Sequence, residues 1–418
     1  MHFLHAADLH IDSPLRGLDR YEGAPLERLR GATRGALERL VDAALAASVD
    51  FLLLVGDIYD RDWPDFHTGL YFREQMVRLN RADIPVFLIH GNHDAQGVIS
   101  RELVLPDNVR VFSSRKAETH VLEALGVAIH GRSFPNRAVD DDLVPGYPAP
   151  VPGLFNIGLL HTSLTGRAGH DPYAPTSEAV LRAKGYDYWA LGHVHARERV
   201  GDDPPIIYPG NLQGRHARET GPKGCESVRV DAAGVQIEFL PLDVVRWHHL
   251  HLNIDGHEGL SGLQTEARRG LSALVEGAED RLHAVRVTLS GVSPLQTVEA
   301  AKPETLEATV RAAAQDTWEA EVWIESVRSE LHSPLDRARE SEREDAIGEL
   351  LRLADAIAAD DSQLSAFAES ELSALVEKIP DEILAAEEQP LAPETLRSLL
   401  REAEETVLAR LVADEPAS

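Results

Sequence analysis

Asp, Asn and His residues stand in five short clusters along this chain, and each cluster follows an apolar run. Phe3–Ala7 leads into Asp8-x-His10, Phe51–Val55 into Gly56-Asp57-Ile58-Tyr59-Asp60, and Val86–Ile89 into Gly91-Asn92-His93-Asp94. Ile157–Leu160 leads into His161, and Tyr188–Leu191 into Gly192-His193-Val194-His195. Imidazole, carboxylate and amide groups gathered in one place suit Mn, Fe, Zn or Co better than Mg or Ca, which prefer all-oxygen shells. Two divalent ions about 3.5–4 Å apart can clamp the attacking and leaving oxygens of an in-line phosphoryl displacement. That arrangement needs a bridging carboxylate, and Asp57 is the expected bridge. One ion would take Asp8, His10 and His195, and the other Asn92, His161 and His193. His93, next to Asn92 but aimed elsewhere, is the expected proton donor to the leaving oxygen, with Asp94 orienting its ring.

For the clusters to meet, the apolar runs must be strands whose carboxyl ends share one edge. A single parallel sheet would do this, and open α/β sheets bind their ligands at that edge. Leu26, Leu29, Ala36, Leu37, Leu40, Val41, Ala44 and Leu45 recur at helical spacing before Phe51–Val55, and a second stripe around Met76 and Val77 precedes the run ending at Ile89. The order β-α-β-α-β is that of a layered α/β domain, which extends to about residue 244. Further apolar runs at Val109–Phe112, His120–Leu122, Val127–His130 and Ile206–Tyr208 predict more strands, placed in a second sheet packed on the first.

A second region, 245–330, reads as a small α/β cap. Leu250, Leu252 and Ile254 alternate with polar residues, a helix is expected over about 258–276, and Val285, Val287 and Leu289 alternate again. Pro303 opens a helical stretch before Ala320, Val322 and Ile324. The third region, 331–418, is helical, with Leu364, Phe367, Leu372, Leu375 and Ile379 on one stripe. Leu396, Leu399, Leu400, Ala403, Val407 and Leu411 form another, and Pro380, Pro390 and Pro393 separate the helices. No Walker-type glycine-rich loop is present, so the chain should not hydrolyse ATP.

Composition narrows the setting. Hydrophobic residues make up 43% of 418 residues, no apolar run reaches membrane-spanning length, and the chain lacks a secretory pattern at its start, which points to the cytoplasm. The single Cys225 cannot form an internal disulfide. With 69 acidic against 41 basic residues the formal charge is −28. DNA binding relies on Lys and Arg neutralising phosphates, so association with DNA should be salt-sensitive unless metal ions or a partner supply positive charge.

The five clusters, in this order, resemble the motif set of the calcineurin-like metallophosphoesterases. That resemblance implies a four-layer α/β/β/α sandwich and carries the ligand roles over with no member missing. Phe3-Leu4-His5-Ala6-Ala7-Asp8-Leu9-His10-Ile11-Asp12-Ser13-Pro14 and Pro209-Gly210-Asn211-Leu212-Gln213-Gly214-Arg215-His216, with Gly221-Pro222-Lys223-Gly224, resemble the bacterial YhaO group. That group looks related to the SbcD nuclease subunits, which implies a DNA exonuclease or endonuclease working with an SbcC-like coiled-coil ATPase. A homodimer is a further expectation.

The leading expectation is a Mn-dependent phosphodiesterase acting on DNA ends or single strands in a repair complex. The alternatives are a phosphoesterase for nucleotides or other small molecules, and a non-catalytic adaptor that recruits an ATPase through its helical tail. Arg215, His216 and Lys223 are candidates for positioning substrate phosphates. Asp12 and Asp60 are expected to fix loops through turn hydrogen bonds, and His2, His5, His90 and His130 to pack without binding metal.

Overall fold

The computed structural model describes residues 1–13, 23–60, 66–95, 103–164, 173–278, 280–318, 320–376, 378 and 392–413. Pro14, Ile379, Pro380 and Pro390 lie outside the described residues. Contacts divide the chain into two units, 1–248 with 277–285, and 249–276 with 286–418.

The first unit is built on two six-stranded sheets. Its strands are β1 (His2–Ala6), β2 (Phe51–Val55), β3 (Val86–Ile89), β4 (Val109–Val111), β5 (Glu118–Leu122), β6 (Val127–Gly131), β7 (Phe155–His161) and β8 (Tyr188–Gly192), then β9 (Glu198–Asp202), β10 (Pro205–Tyr208), β11 (Gly224–Asp231) and β12 (Gly234–Pro241). The first sheet has the order β12-β11-β1-β2-β3-β4 and the second β5-β6-β7-β8-β10-β9. The five cluster-bearing strands are thus not in one parallel sheet. They split three and two, with β1, β2 and β3 mutually parallel in the first sheet and β7 and β8 parallel in the second. Antiparallel strands lie at three of the four edges, β12 against β11 in the first sheet and β5 against β6 and β9 against β10 in the second, while β4 pairs parallel to β3.

Side-chain alternation assigns each face. Leu4, Ala6, Leu52, Leu54, Val86 and Leu88 pack on helices α1 (Leu26–Ala46) and α2 (His67–Asn80), through Leu37, Leu40, Val41, Phe72, Met76 and Leu79 among others. Their odd-numbered neighbours Phe3, Phe51, Leu53, Val55, Phe87 and Ile89 turn the other way, onto Val127, Ile129, Ile157, Leu159, Tyr188 and Ala190 of the second sheet. Both faces of these strands are buried, which is why they read as unbroken apolar runs. Phe3 stacks on Phe51 at 4.9 Å and meets Tyr188 edge-on at 5.5 Å, so aromatic contacts cross from sheet to sheet. Behind the second sheet lie Leu160, Trp189, Leu191, Ile206 and Tyr208, covered by Leu181 of the short helix α3 (Glu178–Ala183) and by Leu143, Val144 and Tyr147. The layers run helix, sheet, sheet, helix, as expected. The hairpin β11–β12 is an addition to the expected strands. Its β12 is largely half-exposed, so it lacks a continuous apolar run.

A third sheet has the order β13-β14-β15, from β13 (Val245–Asn253), β14 (Leu282–Val292) and β15 (Glu321–His332), and the second unit takes β13 from 249, β14 from 286 and all of β15. Helices α4 (Leu260–Val275), α5 (Leu295–Ala301) and α6 (Thr305–Gln315) accompany it. Helices α7 (Arg337–Ser341), α8 (Ala346–Ala359), α9 (Asp361–Val376) and α10 (Pro393–Ala413) follow. The buried face of α10 differs from the expected stripe. Leu396, Glu404, Leu408 and Ala409 are inside, whereas Leu399 and Val407 are exposed. Arg337 is the physical reason, since it reaches Glu404 at 2.5 Å and Asp355 at 2.7 Å and thereby draws a carboxylate into the contact. No helix among the described residues is long and apolar enough to cross a membrane.

Between the sheets of the first unit, His5 is fully buried, with Nδ1 3.1 Å from the Tyr188 hydroxyl and Nε2 3.1 Å from the Leu191 carbonyl. Burial pushes its pKa down to about 3, against the opposing pull of that carbonyl. Below about pH 6.5 the unfolded chain takes up a proton that the folded protein refuses. The stability His5 contributes is therefore present above pH 6.5 and is lost as the pH falls toward 3, by about 1.4 kcal/mol per pH unit. Urea unfolding of metal-stripped protein at about pH 7 and pH 5 should show a smaller decline for His5→Gln than for the parent, by about 2 kcal/mol.

Candidate metal centre

The carboxyl ends of β1, β2, β3, β7 and β8 converge, and the loops that leave them are pinned to one another. Asp8 N donates to Gly56 O at 3.1 Å, His10 N to Asp57 O at 3.0 Å, and Ile11 N to Ile58 O at 3.0 Å. To aim their side chains inward, Asp8 (φ 51°), His10 (φ 43°), Asp57 (φ 50°) and His193 (φ 100°) adopt left-handed backbone conformations. Each such residue costs about 1 kcal/mol or more and persists only where its surroundings enforce it. Glycines make the convergence possible. A Cβ on Gly56 would strike the His161 ring, one on Gly91 the Asp57 carboxylate and the same ring, and one on Gly192 the Val55 carbonyl. The Gly-Asp, Gly-Asn and Gly-His pairs of the motifs are thus a packing requirement around His161.

Seven residues proposed from the sequence as ligands meet here. Asp8, His10 and His195 form one group and Asp57, His161 and His193 another, with the donor atoms of each group within 4.8 Å of one another. His10 Nε2 lies 3.1 Å from His195 Nε2 and 3.9 Å from the Asp57 carboxylate. His161 Nε2 lies 3.4 Å from Asp57 and 3.0 Å from Asn92 Oδ1. Asp57 therefore stands between the two groups. Asp8 also accepts from the backbone of His193, at 2.9 and 3.2 Å, which ties the β1 loop to the β8 loop.

The outer hydrogen bonds of two rings fix where their lone pairs point. His161 Nδ1 lies 3.1 Å from the Val55 carbonyl, which can only accept, so Nδ1 carries a proton and Nε2 is the nitrogen left to face Asp57 and Asn92. His195 Nδ1 lies 2.8 Å from the Glu219 carboxylate, and its Nε2 faces His10. Imidazole nitrogens and carboxylate oxygens gathered face to face suit a cation, and this sulfur-free nitrogen and oxygen set fits a pair of divalent ions. The titration behaviour agrees. Burial alone would raise Asp57, yet His161, His10 and His93 hold it well below the usual carboxylate range. His161 is raised to about 9 against its burial, chiefly by Asp57. Without metal, protons would take the cation's place, and metal binding would release them.

His93 lies at the same point. Its Nε2 is 4.0 Å from Asp57 and its backbone N donates to that carboxylate at 3.0 Å. The ring's partner is not Asp94. Asp94 accepts from the backbones of Ile58 (3.0 Å), Tyr59 (3.0 Å) and Gly91 (3.2 Å) and so ties the Asp57 loop to the Asn92 loop. Asp60 instead faces His93 Nδ1 at 2.9 Å, while accepting from Ser13 at 2.7 Å. The spacing Asp57-x-x-Asp60 was the available signal for this contact. Asp12 is a loop anchor, bound by Arg34 at 2.6 and 2.7 Å and by Thr68.

Of the three proposed phosphate-positioning residues, Arg215 is at the site, 3.8 Å from Asp60 and 3.3 Å from Glu219. His216 is over half exposed and lies 3.8 Å from Glu219. Lys223 is buried, and its Nζ donates to the backbone carbonyl of His195 at 3.0 Å, so its ammonium holds the His195 loop. Glu219 is an acidic residue that sequence reasoning missed. It stands alone in a loop rich in Gly and Arg, with no periodicity or motif spacing to mark it.

Comparison with known proteins agrees with this geometry. Residues 1–197 match the calcineurin-like phosphoesterase family, and residues 247–332 match the middle domain of the metallophosphoesterase YhaO. The chain is 35% identical over 330 residues to the metallophosphoesterase YhaO of Bacillus subtilis, covering 75% of this chain and 78% of that protein. It is 26% identical over 302 residues to the DNA double-strand break repair protein Mre11 of Methanopyrus kandleri, covering 65% and 63%. With the Mre11 of Thermoplasma acidophilum the identity is 32% over 272 residues, covering 58% and 66%. Family match, fold and the gathered ligand groups agree: the chain belongs to the calcineurin-like metallophosphoesterases, in the YhaO family.

Proposed function

We propose that this protein is a dinuclear metal-dependent phosphodiesterase that cuts DNA ends or single strands as the nuclease subunit of a cytoplasmic repair complex. The observation that carries this reading is the placement of Asp57 between two ligand groups, with His93 facing the same carboxylate. In this reading Asp8, His10, Asp57 and His195 hold one ion, and Asp57, Asn92, His161 and His193 hold the other. Mn is the proposed metal. When bound, the pair supplies the positive charge that steadies the attacking and leaving oxygens of an in-line displacement. It also offsets the −28 formal charge locally, where a DNA phosphate must approach.

The chain's own residues do the rest. His93 is pushed above its ordinary value, since Asp60, Asp57 and Asp94 outweigh the effect of its burial. That shift favours the protonated ring, the form that can deliver a proton to the leaving oxygen. Asp60 orients that ring. Arg215 lies close enough to steady a phosphate oxygen. The named role of the two Mre11 relatives in DNA double-strand break repair supports DNA as substrate, and an SbcC-like coiled-coil ATPase is the proposed partner on the resemblance to the SbcD nuclease subunits. The helices of 331–418 are the proposed docking element for that ATPase, and a homodimer is the proposed assembly.

The deciding experiment gives purified protein Mn and labelled single- and double-stranded DNA, beside an aryl phosphodiester and an aryl phosphomonoester. Cleavage of DNA and diester, abolished by a chelator, is expected; hydrolysis of the monoester alone would overturn the reading in favour of a small-molecule phosphoesterase. Asp57→Asn should lose metal from both positions and abolish turnover, as read by elemental analysis alongside rate. Two full equivalents of metal with a near-normal rate would show that Asp57 is not the bridge. His93→Ala should keep both metals while slowing turnover by about 10²–10⁴-fold. The loss should shrink on a substrate whose leaving group needs no proton, and an equal loss on good and poor leaving groups would remove His93 from the acid role.

A further inference from the structure

Beside the metal ligands lies a buried carboxylate, Glu219, that the mechanism above does not use. The Glu219 carboxylate is 8% exposed and meets four donors. One oxygen lies 2.8 Å from His195 Nδ1 and 3.3 Å from Arg215 Nη2. The other accepts from Asn211 Nδ2 at 3.0 Å and from the backbone N–H of Arg215 at 2.7 Å. Glu219 thus holds a ring on one side and closes its own loop on the other.

We propose that Glu219 is a positioning residue that fixes the proton of His195 on Nδ1, leaving Nε2 to face the metal. The proposal rests on the two-ion reading for its consequence, but not for its geometry. An ionised carboxylate can only accept, so a 2.8 Å contact places the proton on Nδ1. Arg215 could compete, because its Nη2 also lies 3.3 Å from His195 Nδ1 and would favour the opposite tautomer. The shorter, charge-assisted contact to Glu219 prevails, and Arg215 donates to the same carboxylate oxygen instead.

An isosteric change exposes this role. In Glu219→Gln one oxygen becomes an NH₂ group. Asn211 Nδ2 and the Arg215 N–H are two fixed donors that can use only the remaining oxygen, so the amide oxygen turns to them and the NH₂ group faces His195. Nδ1 must then accept, with Arg215 Nη2 as a second donor to it, and the proton moves to Nε2. That nitrogen is the one turned to the metal. Volume is preserved, so a residue with a merely packing role would tolerate the change.

The test uses the full chain stripped of metal. Long-range ¹⁵N–¹H correlation of histidine rings should show His195 protonated on Nδ1 in the parent and on Nε2 in Glu219→Gln. Calorimetric titration with Mn should show one of two sites weakened by about 10–100-fold in the variant, the usual effect of losing a ligand's outer partner, with the other site unchanged. An Nε2–H tautomer in the parent would overturn the proposal, even if the variant failed to fold. So would an unaltered tautomer in Glu219→Gln, or equal affinity at both sites in parent and variant. Failure of the parent to bind two metal ions would instead count against the two-ion reading, and the tautomer measurement would stand apart from it.

Discussion

The carboxyl edges of two separate sheets must touch, and the rest of the site depends on that contact. Gly192, ending β8, lies so close to the Val55 carbonyl, ending β2, that no side chain fits between them. At this distance the ligands carried by β1, β2 and β3 reach those carried by β7 and β8. The interleaved Phe3, Phe51, Phe87, Ile157, Leu159 and Tyr188 set the separation of the sheets behind it. Burying each such side chain contributes about 1.5–3 kcal/mol. The apolar layer therefore fixes the spacing at which the ligand side chains face one another.

Around that contact the polar groups are arranged in two rings of partners. Inside are the carboxylates and imidazole nitrogens that face one another. Outside are the groups that decide which way each inner group points: the Val55 carbonyl behind His161, Asp60 behind His93, Glu219 behind His195 and Asp94 behind the loop backbones. Because each outer partner can only accept, each ring is committed to one orientation before any ion arrives. Lys223 holds the backbone of the His195 loop, and Arg215 lies between Asp60 and Glu219, the carboxylates behind His93 and His195.

Much of this was legible in the residues themselves. Strand runs buried on both faces, such as Phe51–Val55, announce themselves through hydrophobicity, and glycine-linked clusters at their ends mark the inner ligands. The division of five strands between two sheets was less legible, because a continuous apolar run looks alike in either sheet. Adjacency in sequence points to Asp94 as the partner of His93, whereas the fold turns Asp94 onto three backbone N–H groups. Glu219 left no trace, since its role arises only once residues 195 and 219 are brought together by folding. The buried face of α10 was misjudged for a related reason: the pairing of Arg337 with Glu404 joins positions 67 residues apart, and helical periodicity is blind to it.

The left-handed backbones of Asp8, His10, Asp57 and His193 have an evolutionary corollary. Glycine would relax each of them, so selection for thermal robustness alone would favour erasing the very side chains that gather here. Four strained positions kept together in one site are a cost that the gathered side chains must offset by their function. A descendant released from that requirement would be expected to drift first at these four positions, gaining hardiness as it fell silent.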